Sequence, residues 1–159
     1  MTKPDHNVSP GPLNRCQISG SKNLFEAIDL GCQPSAGALL TKDDLRQQET
    51  HYPLRLMICP DCGLGQLDYG VDPKILFSTV HYVYRTGISE PLRAHLRSLA
   101  SEIVSTFHLP PQSLCVDIGS NDGTLLTFFR DLRMKTLGVE PTNMAKIAQA
   151  QNQIETLQE

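Results

Sequence analysis

The sequence predicts two parts of different fold class: a small α+β module in the N-terminal half and the first part of an α/β domain in the C-terminal half. Residues 16–71 are short segments separated by glycines and prolines around a Cys-x2-Cys pair. Such a region needs a stabilising cross-link besides its hydrophobic core. Residues 114–140 read instead as strand, glycine turn, helix and strand, which is the order of a nucleotide-binding βαβ unit.

The length of the chain limits the number of its domains, and its charge limits the classes of partner that it can bind. Its 159 residues can hold one full domain or two small ones, and a formal net charge of −3 at pH 7 gives no electrostatic reason to expect nucleic-acid binding. The polar N-terminus has no apolar run typical of a signal peptide, and no stretch approaches the ~20 apolar residues that cross a bilayer. We therefore expect a cytoplasmic protein without a membrane or nucleic-acid partner, and a disordered leader over residues 1–15.

A zinc site is predicted at the tight turn over residues 59–63, Cys-Pro-Asp-Cys-Gly. The chain has five cysteines, which in a cytoplasmic protein are metal ligands or buried groups more often than disulfides. The thiolates of Cys59 and Cys62 can bind one tetrahedral metal, and the glycine that follows frees amides to hydrogen-bond with sulfur. A redox Cys-x2-Cys is the rival interpretation, but that motif usually opens a helix after a strand.

The other ligands of this site are expected upstream, where one cysteine is found. Cys16 supplies a third thiolate, but Ser19 stands where a second upstream ligand would sit, and its hydroxyl deprotonates only at a high pKa. Cys32 and His51 are the remaining candidates for the fourth ligand, since a thiolate or an imidazole binds zinc well. Cys32 could instead simply pack, His51 could lie on a solvated loop, and the site could be degraded and weakly occupied.

A connecting segment with one long helix is predicted over residues 76–110. Residues 89–91 read Ser-Glu-Pro, with a capping serine, an acid and a proline in the first turn. Apolar residues then recur at spacings of four, three, four and four, which places them on one face of a helix. These residues are Leu92, Leu96, Leu99, Ile103 and Phe107. We expect this stripe to be a core face that packs on the sheet of the next domain.

The C-terminal part, residues 111–159, is predicted to bind a nucleotide-like cofactor. A strand from Leu114 to Ile118 enters a Gly-x-x-x-Gly turn, and a second strand ends at Glu140. In nucleotide-binding units of this kind, an acid about 20 residues after the turn accepts hydrogen bonds from ribose hydroxyls. The turn is not the Gly-x-Gly-x-x-Gly of dinucleotide binders, so the predicted ligand has no pyrophosphate, and S-adenosylmethionine is the natural candidate. A final helix is expected from Thr142 toward Glu159.

The predicted cofactor-binding residues are Asp117, Gly119, Asn121, Asp122, Gly123 and Glu140. Each has a structural alternative. The two outer acids could be ordinary charged residues at strand ends, and the Asn-Asp pair in the turn could be only an N-cap for the next helix.

The order of these motifs resembles that of the sugar C-methyltransferases of deoxysugar biosynthesis, which carry an N-terminal zinc-binding domain ahead of an S-adenosylmethionine-dependent methyltransferase domain. The resemblance covers nearly everything from residue 16 to about residue 148. The matching stretches are residues 30–36, 52–54 leading to 59–67, Tyr82-Val83-Tyr84, 116–124 and 138–141.

The resemblance implies a four-cysteine zinc site, onto which Cys16, Cys59 and Cys62 map and Ser19 does not. It also implies that the glycine turn and Glu140 bind S-adenosylmethionine, and that a tyrosine of the Tyr-x-Tyr segment, for which we choose Tyr82, faces a nucleotide-linked sugar. In such enzymes a base removes a proton next to a ketone, and the resulting carbanion attacks the methyl group of the sulfonium.

The fold class expected from all this is an α+β zinc-binding module, residues 16–75, followed after the connecting segment by an incomplete Rossmann-like methyltransferase domain. Because the base region and the C-terminal domain of the family are absent from this chain, we expect a truncated and inactive C-methyltransferase of nucleotide-linked keto-deoxysugars. The alternative is a non-catalytic zinc-binding module that binds a sugar nucleotide or a partner protein. In a third hypothesis a partner chain completes the sheet, whose free edge otherwise favours self-association.

Overall fold

The computed structural model describes residues 10–37, 39–77 and 82–159. The chain divides into two compact units, Met1–Leu76 and Phe77–Glu159. Strands and helices occur in both units, so the predicted mixture of α and β structure is confirmed. Across the described ranges, the helices are all too short or too polar to cross a membrane.

The N-terminal unit is built on a three-stranded antiparallel sheet. Its strands are β2 (Phe25–Pro34), β3 (His51–Ile58) and β4 (Gly65–Leu67), in that order across the sheet. A separate two-stranded ladder joins β1 (Gly11–Pro12) to β5 (Tyr69–Gly70). A 3-10 turn (Asp44–Arg46) precedes β3, and a short helix α1 (Pro73–Leu76) ends the unit.

The described part of the predicted disordered leader is hydrogen-bonded to the rest of the unit. Residues 1–9 of that prediction lie outside the described residues. Gly11 and Pro12 pair with β5, and the amide of Leu13 donates a hydrogen bond to the carbonyl of Asp68 at 2.6 Å. The prediction of disorder is therefore wrong for residues 11–13, because a partner strand satisfies their backbone groups.

Burial in the N-terminal unit is confined to a few side chains. Of its described residues, Cys16, Cys59 and Gln66 are buried, while large apolar side chains such as Phe25 and Leu30 are more than half exposed. A unit that removes so little apolar surface from water gains little from the hydrophobic effect. This burial pattern agrees with the prediction from the sequence that the region needs a stabilising cross-link besides its hydrophobic core.

The C-terminal unit contains a parallel sheet with helices between its strands. The strands β6 (Leu114–Ile118), β7 (Lys135–Val139) and β8 (Thr156–Leu157) lie in chain order and are all parallel. Helix α3 (Thr124–Asp131) joins the first two strands, and α4 (Met144–Asn152) joins the last two. The long helix α2 (Glu90–Thr106) precedes them, so the predicted helix and the two predicted strands are present near their expected bounds.

Helix α2 packs on α3, and their contact belongs to the hydrophobic core of this unit. The buried members of the core are Ala100, Leu126, Phe128, Phe129, Met134, Ala148 and Ile154. From the predicted stripe, Leu96 and Ile103 pack against the core, whereas Phe107 lies past the helix end and is 69% exposed. Beside the stripe, the guanidinium of Arg97 lies 4.9 Å from the ring centroid of Phe128. The stripe therefore joins a core that is shared with α3, where the sheet was expected as its partner.

The C-terminal tail forms a third parallel strand instead of continuing as a helix. Helix α4 ends at Asn152, and Gln153 takes a left-handed conformation with φ of 55°. The side chain of Ile154 is then buried at 1% exposure, and Thr156 pairs with Gly138 of β7. The predicted helix toward Glu159 is wrong in this segment because the burial of Ile154 stabilises an extended tail.

One face of β6 is apolar and open. Leu114, Val116 and Ile118 alternate along the strand and are 60%, 50% and 83% exposed. In the described sheet β6 is also an edge strand, since its hydrogen-bonded neighbour is β7 alone. An exposed apolar edge strand is a surface on which further chain can pair.

Two glycines of the turn after β6 give a matched test of this packing. At Gly123 (φ +75°) an added Cβ would lie 3.1 Å from Ile154 and 3.2 Å from Ala148, whereas at Gly119 (φ +79°) it would meet nothing within 4 Å. We expect Gly123→Ala to destabilise this unit by about 2–5 kcal/mol, and Gly119→Ala by about 1–2 kcal/mol from left-handed strain alone.

Urea unfolding followed by far-ultraviolet circular dichroism measures this difference, because α2, α3 and α4 dominate the helical signal. Equal destabilisation by the two alanines would contradict the close packing of the tail against the turn.

Candidate metal centre and candidate cofactor turn

Three cysteines of the N-terminal unit form one cluster. The sulfur atoms of Cys16, Cys59 and Cys62 all lie within 4.8 Å of one another, and those of Cys16 and Cys62 are 3.5 Å apart. A tetrahedral zinc with Zn–S bonds of about 2.3 Å separates its sulfurs by about 3.8 Å. The donor type and the spacing therefore fit one zinc ion. We call residues 16–20 the upstream knuckle and residues 59–63 the downstream knuckle.

The two knuckles have the same backbone hydrogen-bond pattern. In the downstream knuckle the amide of Gly63 donates to the carbonyl of Cys59 at 2.8 Å, and Gly63 has φ of 78°. In the upstream knuckle the amide of Gly20 donates to the carbonyl of Cys16 at 2.9 Å, and Gly20 has φ of 71°. A left-handed glycine thus closes each turn.

Interactions around the sulfur atoms shift the pKa values of two of the thiols in opposite directions. The hydroxyl of Ser19, followed by its backbone amide, lowers the pKa of the Cys16 thiol to about 6. A hydrogen bond from the Leu64 amide acts in the same direction on Cys62, but contacts with Cys16 and Cys59, together with burial, leave the pKa of Cys62 raised. The thiol of Cys16 therefore ionises readily, whereas the neighbouring thiols oppose the ionisation of Cys62. A bound cation would stabilise both thiolates.

Polar side chains fix the knuckles in place. The side chain of Gln66 on β4 accepts a hydrogen bond from the amide of Gln17 at 2.9 Å and donates one to the carbonyl of Arg15 at 3.0 Å. The side-chain amide of Asn23 donates to the carboxylate of Asp61 at 3.1 Å. The bonds of Gln66 attach the upstream knuckle to the sheet, and the bond of Asn23 attaches the segment after this knuckle to the downstream knuckle.

The structure does not bring Cys32 or His51 to the cluster. Cys32 lies on β2 opposite Pro53, and His51 begins β3, whose other end, Ile58, precedes the downstream knuckle. Seven extended steps separate the ends of this strand by roughly 24 Å. The expectation that either residue completes the zinc site is therefore corrected by the geometry of the hairpin. Both side chains are exposed.

In the C-terminal unit, the predicted acids lie around the turn after β6. Glu140 is 4% exposed, and its carboxylate accepts hydrogen bonds from the amides of Asn121 at 2.8 Å and Thr142 at 2.9 Å. Burial, and then the nearby charge of Glu140, raise the pKa of Asp117. The sequence-predicted Asp117 and Glu140 are thus brought together, and Glu140 also ties the turn to the end of β7.

The side chains of Asn121 and Asp122 hold the segment 84–87 against the turn. The amide of Thr86 donates to the side-chain oxygen of Asn121 at 2.9 Å, and the amide of Gly87 donates to the carboxylate of Asp122 at 3.0 Å. The side chain of Arg85 forms an ion pair with Asp122 at 3.5 Å. The sequence predicted that these two side chains contact a cofactor. In the structure their oxygen atoms instead accept hydrogen bonds from backbone amides of the protein.

Hydrogen bonds inside the turn occupy most of its backbone amides. Those of Gly119 and Ser120 both donate to the carbonyl of Val139, at 2.8 and 3.1 Å, and that of Gly123 donates to the carbonyl of Ser120 at 2.9 Å. A turn that binds phosphate aims free amides at the anion. The amides of this turn instead donate to carbonyls and to a carboxylate of the same unit, which suits a ligand without phosphate.

Tyr82 lies in the same unit, on the segment that leads to residues 84–87. Its amide donates to the side-chain oxygen of Asn143 at 3.0 Å, and its ring lies 5.9 Å from that of Phe77, tilted by 49°. Tyr82 is half-buried, and Tyr84 is 53% exposed.

Comparison with known proteins bears on the N-terminal unit and on the family that the chain resembles. Residues 16–77 match a family model described as a putative zinc binding domain. This segment is thus similar to a zinc-binding domain, and we refer to it by that term. The chain is also 32% identical, over 138 residues, to the C-methyltransferase NovU of Streptomyces niveus, an alignment that covers 86% of this chain and 32% of that protein. The chain therefore spans about a third of the length of this relative, and the resemblance to the C-methyltransferase family is confirmed.

The zinc-binding domain contains one feature that the sequence did not reveal. Ser19 was set aside as a poor ligand, yet its hydroxyl oxygen lies 3.4 Å from the sulfur of Cys59. The signal was present in Gly20, which follows Ser19 as Gly63 follows Cys62. Nothing in the pattern indicated that Arg85 pairs with Asp122, because the two lie far apart along the chain.

Removal of zinc is expected to unfold the zinc-binding domain and to leave the C-terminal unit folded. Structural zinc sites contribute about 10–16 kcal/mol in small peptides, which exceeds the stability of most domains of this size. Amide hydrogen exchange with and without a chelator measures both units in one experiment. Cys59→Ala should reproduce the effect of the chelator, and Cys32→Ala is the matched control that keeps the metal. Unchanged protection of β2 and β3 after loss of zinc would show that another interaction holds this domain.

Proposed function

We propose that this chain supplies the zinc-binding domain and the cofactor-binding turn of an S-adenosylmethionine-dependent C-methyltransferase that acts on a nucleotide-linked keto-deoxysugar. The observation that carries the proposal is the set of carboxylates around the turn after β6. These carboxylates are the side chains of Asp117, Asp122 and Glu140. Beside them lies the cationic side chain of Arg85, which pairs with Asp122.

The charge of this turn favours a cationic ligand. Dinucleotides carry a pyrophosphate, which carboxylates repel, whereas S-adenosylmethionine carries a sulfonium and an ammonium group and no phosphate. When bound, it supplies an electrophilic methyl group. Asp117 has its pKa raised and would gain a compensating positive charge. Glu140, already fixed by two amides, retains lone pairs that can accept hydrogen bonds from ribose hydroxyls.

The segment that contains Tyr82 is positioned by the same turn. The carbonyl of Tyr84 accepts a hydrogen bond from the side-chain amide of Asn121 at 3.0 Å, and Asn143 binds the amide of Tyr82. A substrate next to the methyl donor would therefore meet this segment. We assign the sugar-facing position to Tyr82, as the family resemblance suggests.

The open face of β6 supports a larger Rossmann-like sheet. The exposed side chains of Leu114, Val116 and Ile118 provide an apolar surface, and the free edge of β6 can pair with another strand. The relative is about three times as long as the stretch aligned here. We propose that further strands, from a longer chain or from a partner chain, add at this edge and complete the active site.

A second candidate function is that of a binding module without catalysis, and a cavity in the zinc-binding domain favours it. This cavity of about 650 Å³ is lined mainly by apolar and aromatic side chains, among them Tyr52 and Tyr69, whose ring centroids are 6.0 Å apart. The described lining residues include no lysine or arginine to pair with a diphosphate. Of the two ligands this function would allow, the cavity favours an apolar segment of a partner protein over a sugar nucleotide.

Titration calorimetry of the chain with S-adenosylmethionine tests the first proposal, and NAD+, whose pyrophosphate is anionic, is the comparison ligand. We expect binding of S-adenosylmethionine and none of NAD+. Asp117→Asn should weaken binding about tenfold, because it removes one charge close to the ligand. Asp131→Asn is the matched control, since it removes an exposed carboxylate at the far end of α3 and should leave affinity unchanged.

The affinity should also depend on pH. The raised pKa of Asp117 means that its carboxylate gains a proton at a higher pH than usual, so binding should weaken as the pH falls through that raised pKa. A folded chain that ignores S-adenosylmethionine, or that binds NAD+ equally well, would refute the proposal and favour the binding module.

A further inference from the structure

We propose that the hydroxyl of Ser19 occupies the fourth coordination position of the zinc centre as a neutral oxygen ligand, and that an external thiolate can displace it. The zinc then has three fixed thiolates and one exchangeable position. The inference concerns the metal centre alone and does not depend on methyl transfer.

The position of the hydroxyl matches the missing corner of a tetrahedron. The Oγ of Ser19 lies 3.4 Å from the Sγ of Cys59. Ligands at tetrahedral angles, with bonds of about 2.3 Å to sulfur and 2.0–2.2 Å to oxygen, place the two atoms about 3.5 Å apart. The backbone amide of Ser19 also donates to the sulfur of Cys16 at 3.4 Å. Ser19 therefore lies directly against two of the three sulfurs.

The equivalence of the two knuckles gives independent support. Each begins with a buried cysteine, Cys16 or Cys59, and each is closed by a left-handed glycine through the same hydrogen bond. The third residue after the first cysteine is Cys62 in the downstream knuckle and Ser19 in the upstream one. A backbone that aims the side chain of Cys62 at the metal aims the side chain of Ser19 there as well.

No other described side chain competes for this corner. The cluster of potential ligand atoms contains the three cysteines alone among the described histidines, cysteines and acids. Cys32 and His51 lie along the hairpin, away from the knuckles. The carboxylate of Asp61 in the downstream knuckle accepts a hydrogen bond from Asn23.

The fourth corner is open to solvent, which makes exchange feasible. Cys16 and Cys59 are buried, whereas Ser19 and Cys62 are exposed. A neutral hydroxyl is a weak zinc ligand and a thiolate is a strong one. In the exchange a thiol gives its proton to the buffer, its sulfur forms a bond to zinc, and the bond from zinc to the Ser19 oxygen breaks while the hydroxyl keeps its proton.

Cobalt(II) substitution of the intact chain tests the inference, because the absorption of tetrahedral cobalt depends on its number of sulfur ligands. Wild type should show a three-sulfur spectrum, and Ser19→Cys a four-sulfur spectrum. Added 2-mercaptoethanol should convert wild type and Ser19→Ala toward the four-sulfur spectrum and leave Ser19→Cys unchanged. Cys32→Ser is the control that should behave as wild type.

Zinc affinity, measured by competition with a chromophoric chelator, is the second readout. Ser19→Cys should bind zinc at least about tenfold more tightly than wild type, and Ser19→Ala a few-fold more weakly. A four-sulfur spectrum in wild type without added thiol, or no response of wild type to thiol, would overturn the inference. Equal zinc affinity of wild type and Ser19→Ala would also overturn it, since water rather than the hydroxyl would then hold the corner.

Discussion

In the N-terminal unit the described chain buries two cysteines and one glutamine and leaves its larger apolar side chains in contact with solvent. A fold of this kind has little hydrophobic driving force, so the cluster of Cys16, Cys59 and Cys62 has to hold it. The cluster joins the upstream knuckle, which follows β1, to the downstream knuckle, which connects β3 to β4. The antiparallel sheet, its long hairpin and the apolar cavity all depend on that junction.

The C-terminal unit is organised by buried carboxylates instead of a metal. Glu140 joins the turn after β6 to the end of β7, and Asp122 joins the same turn to the segment 84–87. Both carboxylates accept hydrogen bonds from backbone amides, and Asp122 also pairs with Arg85. These bonds hold the turn in place before any ligand arrives. Such a site is preorganised for a cation, and this connects the fold to the proposed use of S-adenosylmethionine.

Much of this could be predicted from the sequence, where local patterns decide the structure. The cysteine spacing located three members of the cluster, and the apolar run at residues 114–118 gave β6. The sequence could not show that Asn121 and Asp122 bind the segment 84–87, because that contact joins residues about 35 positions apart. It also missed β8, because the burial of Ile154 depends on the space that Gly123 leaves.

X-ray absorption spectroscopy at the zinc edge of the metal-loaded chain tests the central claim most directly, since it counts the sulfur and oxygen neighbours of the metal. The account predicts three sulfur atoms at about 2.3 Å and one oxygen at about 2.0–2.2 Å. Four sulfur neighbours would show that a further cysteine completes the site and that Ser19 does not. A chain that folds without retaining zinc would contradict the account, because the N-terminal unit would then be held by something other than the cluster.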